Sequence, residues 1–218
     1  MITLYGMTVS FPVNRVRLCL NAMEQDYEFV ILNPLAGETR TEAFLSMSPA
    51  GKIPAIDVDG VTVFESNAIM KYLCRQFESD YYPSDIKQQT AVDSWCDFSA
   101  IHVGNGVAKA MFNKVFAPAL GMPVDEQSMK DGYGFIERFF AVVDQQLSKT
   151  PFIAGDSMTI ADFSLLATVD PADVLEVDLN QYPHLNSWCQ KLKAEDFYTR
   201  MHASFAESLQ ALMQAMQG

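Results

Sequence analysis

The chain has 218 residues, 49% of them apolar and 19% charged, so it can build a sizeable core over one large domain or two ordinary ones rather than remain disordered. Its 27 acidic and 15 basic residues leave a formal net charge of −12, which excludes broad nucleic-acid binding, disfavours anionic membranes and obliges any anionic ligand to find its cations locally. The four cysteines, Cys19, Cys74, Cys96 and Cys189, form no C-x-x-C pair and have no histidine at ligand spacing. They read as reduced, mostly buried thiols of a cytoplasmic protein with no metal centre. No run of about 18 apolar residues occurs, and the first residues lack the pattern of a secretory signal, so no membrane segment is expected.

In chain order, Met1 to Tyr5 reads as a strand and Arg15 to Glu24 as a helix with apolar Val16, Leu18, Cys19, Leu20 and Met23. Tyr27 to Leu32 is a second strand. Ile53 to Val58 and Val61 to Phe64 form a hairpin about Asp59-Gly60, the residue types that short connections demand, and Ser66 to Phe77 is a helix. A β-α-β unit followed by a hairpin and a helix is an α/β arrangement of thioredoxin type. The periodicity breaks over Ser79 to Asp85, and beyond it strand signals give way to long stretches of 3.6-residue period. The expected organisation is a thioredoxin-like domain over residues 1–80, a linker over 81–88 and an all-helical domain over 89–218. Within the latter, Met158-Thr159-Ile160-Ala161-Asp162-Phe163 carries a helix-capping box with flanking apolar residues at staple spacing. Asp162 is therefore assigned to folding and not to acid catalysis.

Two features of the first domain imply a ligand. Ile53-Pro54 is a bond that proline allows to be cis. A cis-proline entering a strand leaves the backbone groups of the preceding residue free to pair with an extended peptide. Glu65-Ser66 opens a helix, where free N–H groups and the dipole favour a carboxylate and the Glu65 side chain can hold an ammonium. A small peptide with a free α-amino-acid end fits both, and glutathione is such a peptide. Ser10 lies between the first strand and a helix with Pro12 in its first turn, where a hydroxyl can donate to a bound thiol or simply cap the helix.

The stretch Pro49-Ala50-Gly51-Lys52-Ile53-Pro54 followed by Glu65-Ser66-Asn67-Ala68-Ile69 resembles the glutathione-binding half of the cytosolic glutathione S-transferases, and the resemblance runs essentially end to end. Ser10 and Arg15 match the S-x-x-x-x-R pattern of the serine-type classes, closest to phi, with theta and delta as alternatives; Val115 to Met122 is also phi-like. The resemblance implies a transferase that activates glutathione as a thiolate at Ser10, with Thr8 as the rival hydroxyl and Tyr5 as a weaker one. No cysteine stands in that slot, which counts against thiol reductases. It further implies that Ile53 and Pro54 pair with the cysteinyl unit of glutathione and that Glu65 and Ser66 hold the γ-glutamyl end. Arg40 and Lys52 are the cations available for the glycine carboxylate. Asn67 stands where the family usually has arginine, and Ala50 where many phi-like members carry the phenylalanine that plugs the partner subunit; a homodimer is still expected.

The co-substrate would be an apolar electrophile held by Phe11, Phe112 and Phe116, with a C-terminal helical stripe of Met201, Phe205, Leu209, Leu212, Met213 and Met216 nearby. The same thiolate would serve peroxide reduction. Two other readings remain open from the sequence: a non-catalytic interaction module on the same fold, and a glutathione-dependent isomerase or dehalogenase.

Overall fold

The computed structural model describes residues 1–200 and 204–217. Its first part comprises β1 (Ile2–Gly6), α1 (Phe11–Ala22), β2 (Glu28–Ile31), α2 (Glu42–Met47), β3 (Ala55–Val58), β4 (Val61–Phe64) and α3 (Ser66–Gln76). The strands lie in the order β2-β1-β3-β4, with β1 and β2 parallel and the other pairs antiparallel, which is the thioredoxin-like sheet. The sheet buries Ile2, Leu4, Ile56 and Val58 against α1 and α3. Asp59 and Gly60 both take positive φ, 51° and 89°, the conformation that matches a two-residue turn to the strand twist.

Three boundaries differ from the sequence reading. The first helix starts at Phe11 rather than Arg15, because Pro12 is preset for a first turn and Ser10 supplies the extended cap residue. Helix α2 has no counterpart among the predicted elements; Thr41 caps it by accepting from the Phe44 N–H at 3.3 Å. Ile86 already begins the next helix, with Asp85 accepting from the N–H groups of Lys87 and Gln88, so the last residues of the expected linker are helical.

The second part is helical. A long rod runs through α4 (Ile86–Asp97), α5 (Gly104–Met111) and α6 (Ala117–Ala119), interrupted by two π turns at Phe98–Val103 and Phe112–Phe116. It is followed by α7 (Glu126–Leu147), α8 (Ile160–Val169), α9 (Pro183–Lys193), α10 (Asp196–Thr199) and α11 (Phe205–Gln217). Helix α5 crosses α7 closely, because a Cβ on Gly132 would lie 2.8 Å from the backbone of Ala110.

All of α8 is buried, and its N-terminus is closed by the expected capping box. The Asp162 carboxylate accepts from Thr159 N at 2.9 Å, and also from Ile153 N at 3.0 Å and Trp188 Nε1 at 3.2 Å. It thus joins the preceding loop and α9 to the helix. Burial outweighs these donors and pushes its carboxyl up to about 6. At the far end of α8, Asp170 accepts from Lys193 Nζ at 2.6 Å, Tyr198 Oη at 2.8 Å and Phe205 N at 3.2 Å, which anchors the start of α11. Phe205 and Leu209 of the expected apolar stripe are buried, while Met201 and the Met216 side chain lie outside the described residues.

The two parts are tied across α1, α3, α4 and α8. Asn67 on α3 donates to the Cys96 carbonyl at 2.9 Å and accepts from Ser164 Oγ at 3.1 Å. Lys71 pairs with Asp93 at 2.9 Å. The position where the family pattern has an arginine therefore still bridges the halves, through neutral hydrogen bonds.

Candidate functional site

Two adjoining cavities of about 560 and 400 Å³ open between the thioredoxin-like part and the helical rod, sharing Phe11, Pro12, Lys52 and Ile53 as a common wall. The larger takes in Ser10, Arg40, Phe112 and Phe116, and the smaller Pro54, Glu65 and Ser66. The residues expected to hold glutathione and the electrophile, the two rival hydroxyls apart, thus all line this one cleft. Met111, Leu120, Phe205 and Leu212 complete the apolar wall of the larger cavity.

Ser10 is the cap residue of α1, with extended backbone (φ −111°, ψ 108°), yet its side chain makes no capping hydrogen bond. Its carbonyl accepts the first helical bond from Asn14 N at 2.9 Å. The hydroxyl is therefore unspent on the helix, at the positive end of a twelve-residue dipole that has no acidic residue in its first turn. Thr8 is absent from the cavity walls, and its carbonyl accepts from Asn14 Nδ2 at 2.9 Å, which pins the loop leading to Ser10. Tyr5 packs edge-on against Phe44 at 6.5 Å between ring centroids.

The Ile53-Pro54 bond is cis. Among the described residues neither backbone group of Ile53 has a backbone partner, so both can pair with an extended ligand. Gly51, at φ +60°, turns the preceding chain; a Cβ there would lie 2.8 Å from Arg40 Nη1. The Arg40 guanidinium is held across this turn by the Ala50 carbonyl at 3.4 Å, exposed beside Lys52.

Glu65 caps α3 at φ 67°, a left-handed conformation that costs a non-glycine residue about 1–3 kcal/mol and is retained where the surroundings impose it. Its side chain is exposed to the smaller cavity and makes no cap bond. Ser66 beside it is buried, and Arg15 Nη1 donates to its Oγ at 3.2 Å. Occupying the acceptor side of that hydroxyl leaves its proton for a ligand carboxylate.

Arg15 enters the sequence reading only as part of a spacing pattern, and its position explains the spacing. One turn into α1, it reaches the domain boundary and donates to Thr168 Oγ1 at 2.7 Å and to the Ser164 carbonyl at 3.3 Å, with the Phe11 ring 5.6 Å away. No carboxylate forms a salt bridge with it among the described residues, and burial lowers it to about 10, so it stays charged at neutral pH. A serine, a threonine and a backbone carbonyl on α3 and α8 are the partners that only folding brings to it, which is why sequence spacing could not assign them.

This architecture, a cis-proline strand edge and two helix N-termini facing an all-helical domain across a cleft, defines the class of two-domain thioredoxin-fold proteins with a thiol-peptide site. Residues 4–80 match the family model for the glutathione S-transferase N-terminal domain and residues 127–191 that for its C-terminal domain. The chain belongs to the glutathione S-transferase family, on its phi-like side. A probable glutathione S-transferase of Oryza sativa subsp. japonica, GSTF2, is 29% identical over 88% of this chain and 91% of its own. The crystal structure of glutathione transferase F7 from Populus trichocarpa is 26% identical, with a TM-score of 0.84 over 96% of this chain and 99% of that one. A glutathione S-transferase from Pseudomonas fluorescens is 30% identical, with a TM-score of 0.82 over 90% of this chain and 96% of the other. No described helix is long and apolar enough to cross a membrane.

Proposed function

We propose that this glutathione S-transferase ionises glutathione at Ser10 and delivers the thiolate to an apolar electrophile in the larger cavity. The observation that carries the proposal is the Ser10 hydroxyl, free of its capping duty and in one cavity with the unpaired backbone of Ile53. In this reading the cysteinyl unit pairs with Ile53 as an added strand, which brings its sulfur towards Ser10. Glu65 takes the γ-glutamyl ammonium, and Ser66, polarised by Arg15, donates to the carboxylate together with the α3 N-terminus. Arg40 and Lys52 hold the glycine carboxylate, supplying the local cations that a chain of net charge −12 requires. Phe11, Phe112 and Phe116 wall the electrophile. The proposed division of labour is residues 1–80 for glutathione and 89–218 for the electrophile, in a cytoplasmic homodimer. Val61 and Phe64, exposed on the edge strand β4, are apolar surface for a partner subunit to cover.

The decisive experiment follows the ultraviolet absorbance of the thiolate as glutathione binds at varied pH. A bound thiol titrating well below its free value supports the proposal. An unshifted thiol removes Ser10 activation, and no binding at all makes the fold a scaffold. The subsites separate by kinetics. Glu65 should hold ground state and transition state alike, so Glu65→Ala is expected to raise the glutathione KM at least tenfold with kcat nearly unchanged. A fall in kcat at constant KM contradicts that role. Arg40→Ala is expected to weaken glutathione by about tenfold but to leave an analogue with amidated glycine almost unaffected, as competitive inhibition by the two ligands would show. Equal losses place Arg40 outside the site.

A further inference from the structure

Away from the cleft, α1 and α3 bring three sulfur atoms together in the core of the thioredoxin-like part. The Met23 Sδ lies 3.7 Å from Cys19 Sγ, one turn earlier on the same helix, and 3.9 Å from Cys74 Sγ on α3. The two thiols, both buried, thus meet at the Met23 sulfur. Residue numbers 19, 23 and 74 conceal this grouping in the sequence, and one of its three donors is a thioether rather than a cysteine, histidine or carboxylate.

We infer that Cys19, Met23 and Cys74 form a binding site for a monovalent soft cation, Cu(I) foremost. Thiolate and thioether donors select such ions over hard ones. A trigonal ion with metal–sulfur bonds of about 2.3 Å holds its sulfurs roughly 4 Å apart, which is the spacing found at Met23. Cysteine binds as thiolate, so the protons of Cys19 and Cys74 leave to solvent as copper enters, while the Met23 thioether donates as a neutral ligand. No electron changes hands. Access exists from one side, where a cavity of about 440 Å³ is walled by Met23, Phe77, Ser79 and Tyr81.

The test titrates the reduced full chain, under nitrogen and without glutathione, against the Cu(I) complex of the chromogenic chelator bicinchoninate. Wild type and a Cys96→Ala/Cys189→Ala double variant are expected to withdraw one copper per chain and to release protons with it. Cys74→Ala should withdraw none. Met23→Leu, which conserves volume and so keeps the fold, should bind about tenfold or more weakly while melting normally without copper. Zinc under the same conditions should not be retained. Uptake by Met23→Leu equal to wild type, loss of uptake in the Cys96/Cys189 variant, or no uptake by wild type each overturns the site. If Cys74→Ala fails to fold, Met23→Leu alone decides.

Discussion

Ser10→Ala is expected to lower kcat for glutathione conjugation at pH 7 by up to about 25-fold while leaving glutathione binding within a few-fold of wild type. The size follows from acidity. A free thiol with a pKa of about 8.5 is only ~3% ionised at pH 7, and lowering it by ~2 units makes roughly three-quarters of it thiolate, a change worth ~2.7 kcal/mol. In the proposed reading a hydroxyl bond to the charged sulfur lowers the thiol pKa, with the α1 N-terminus adding to the effect. The alanine variant should accordingly recover part of its rate as pH rises towards the free thiol value, so its pH–rate profile moves upward by about one to two pH units. Steady-state kinetics from about pH 6 to 9 check both parts. A variant that keeps wild-type kcat and profile would transfer the activation to the helix terminus or to Thr8, although Thr8 does not line either cavity.

The largest effect on stability is expected at Asp162. Replacing it with alanine strands the N–H groups of Ile153, Thr159 and Trp188 in the interior, each at about 1–3 kcal/mol, while removing a desolvated carboxylate; the expected net loss is about 3–5 kcal/mol in urea unfolding. A loss below about 1 kcal/mol would show that the capping box is dispensable. The pH dependence has a defined sign. The carboxyl is raised by burial to about 6 from an ordinary value of 3.8, so between these values the native state keeps a proton that the unfolded chain has already lost. The contribution of this group is therefore most favourable below about pH 4, declines as pH rises to about 6 and is constant above that. Across that window the contribution changes by ~3 kcal/mol. Asp162→Asn does not titrate, so the stability of wild type relative to this variant should fall by about that amount between roughly pH 4 and pH 7. A difference independent of pH would mean that the carboxylate is ionised throughout.

Much of the cleft was legible because its parts depend on local chemistry. Ile53-Pro54, Asp59-Gly60, Glu65-Ser66 and Thr159 with Asp162 each fix a backbone conformation or a cap within a few residues, and each stands where that chemistry requires. What sequence left unread depends on distant partners. Arg15 acquires meaning only when Ser66 and Thr168 arrive, and the three sulfurs of α1 and α3 meet only when the helices pack. Helix α2 is six residues long, too short for periodicity to declare it, and depends on Thr41 for its start. The aromatic wall was half legible: Phe112 and Phe116 were visible as apolar residues at helical spacing, but nothing in that spacing announced a π turn.

That π turn has an evolutionary corollary. It is a helical turn carrying one residue more than the α-helix needs. Deleting a single codon between Phe112 and Phe116 would remove that surplus residue and restore regular winding, leaving the helix on either side in register. The wall of the larger cavity at Phe112 and Phe116 would be reshaped while Met111, Phe205, Leu212 and the start of α1 kept their places. The shape of that cavity is thus adjustable by length as well as by substitution.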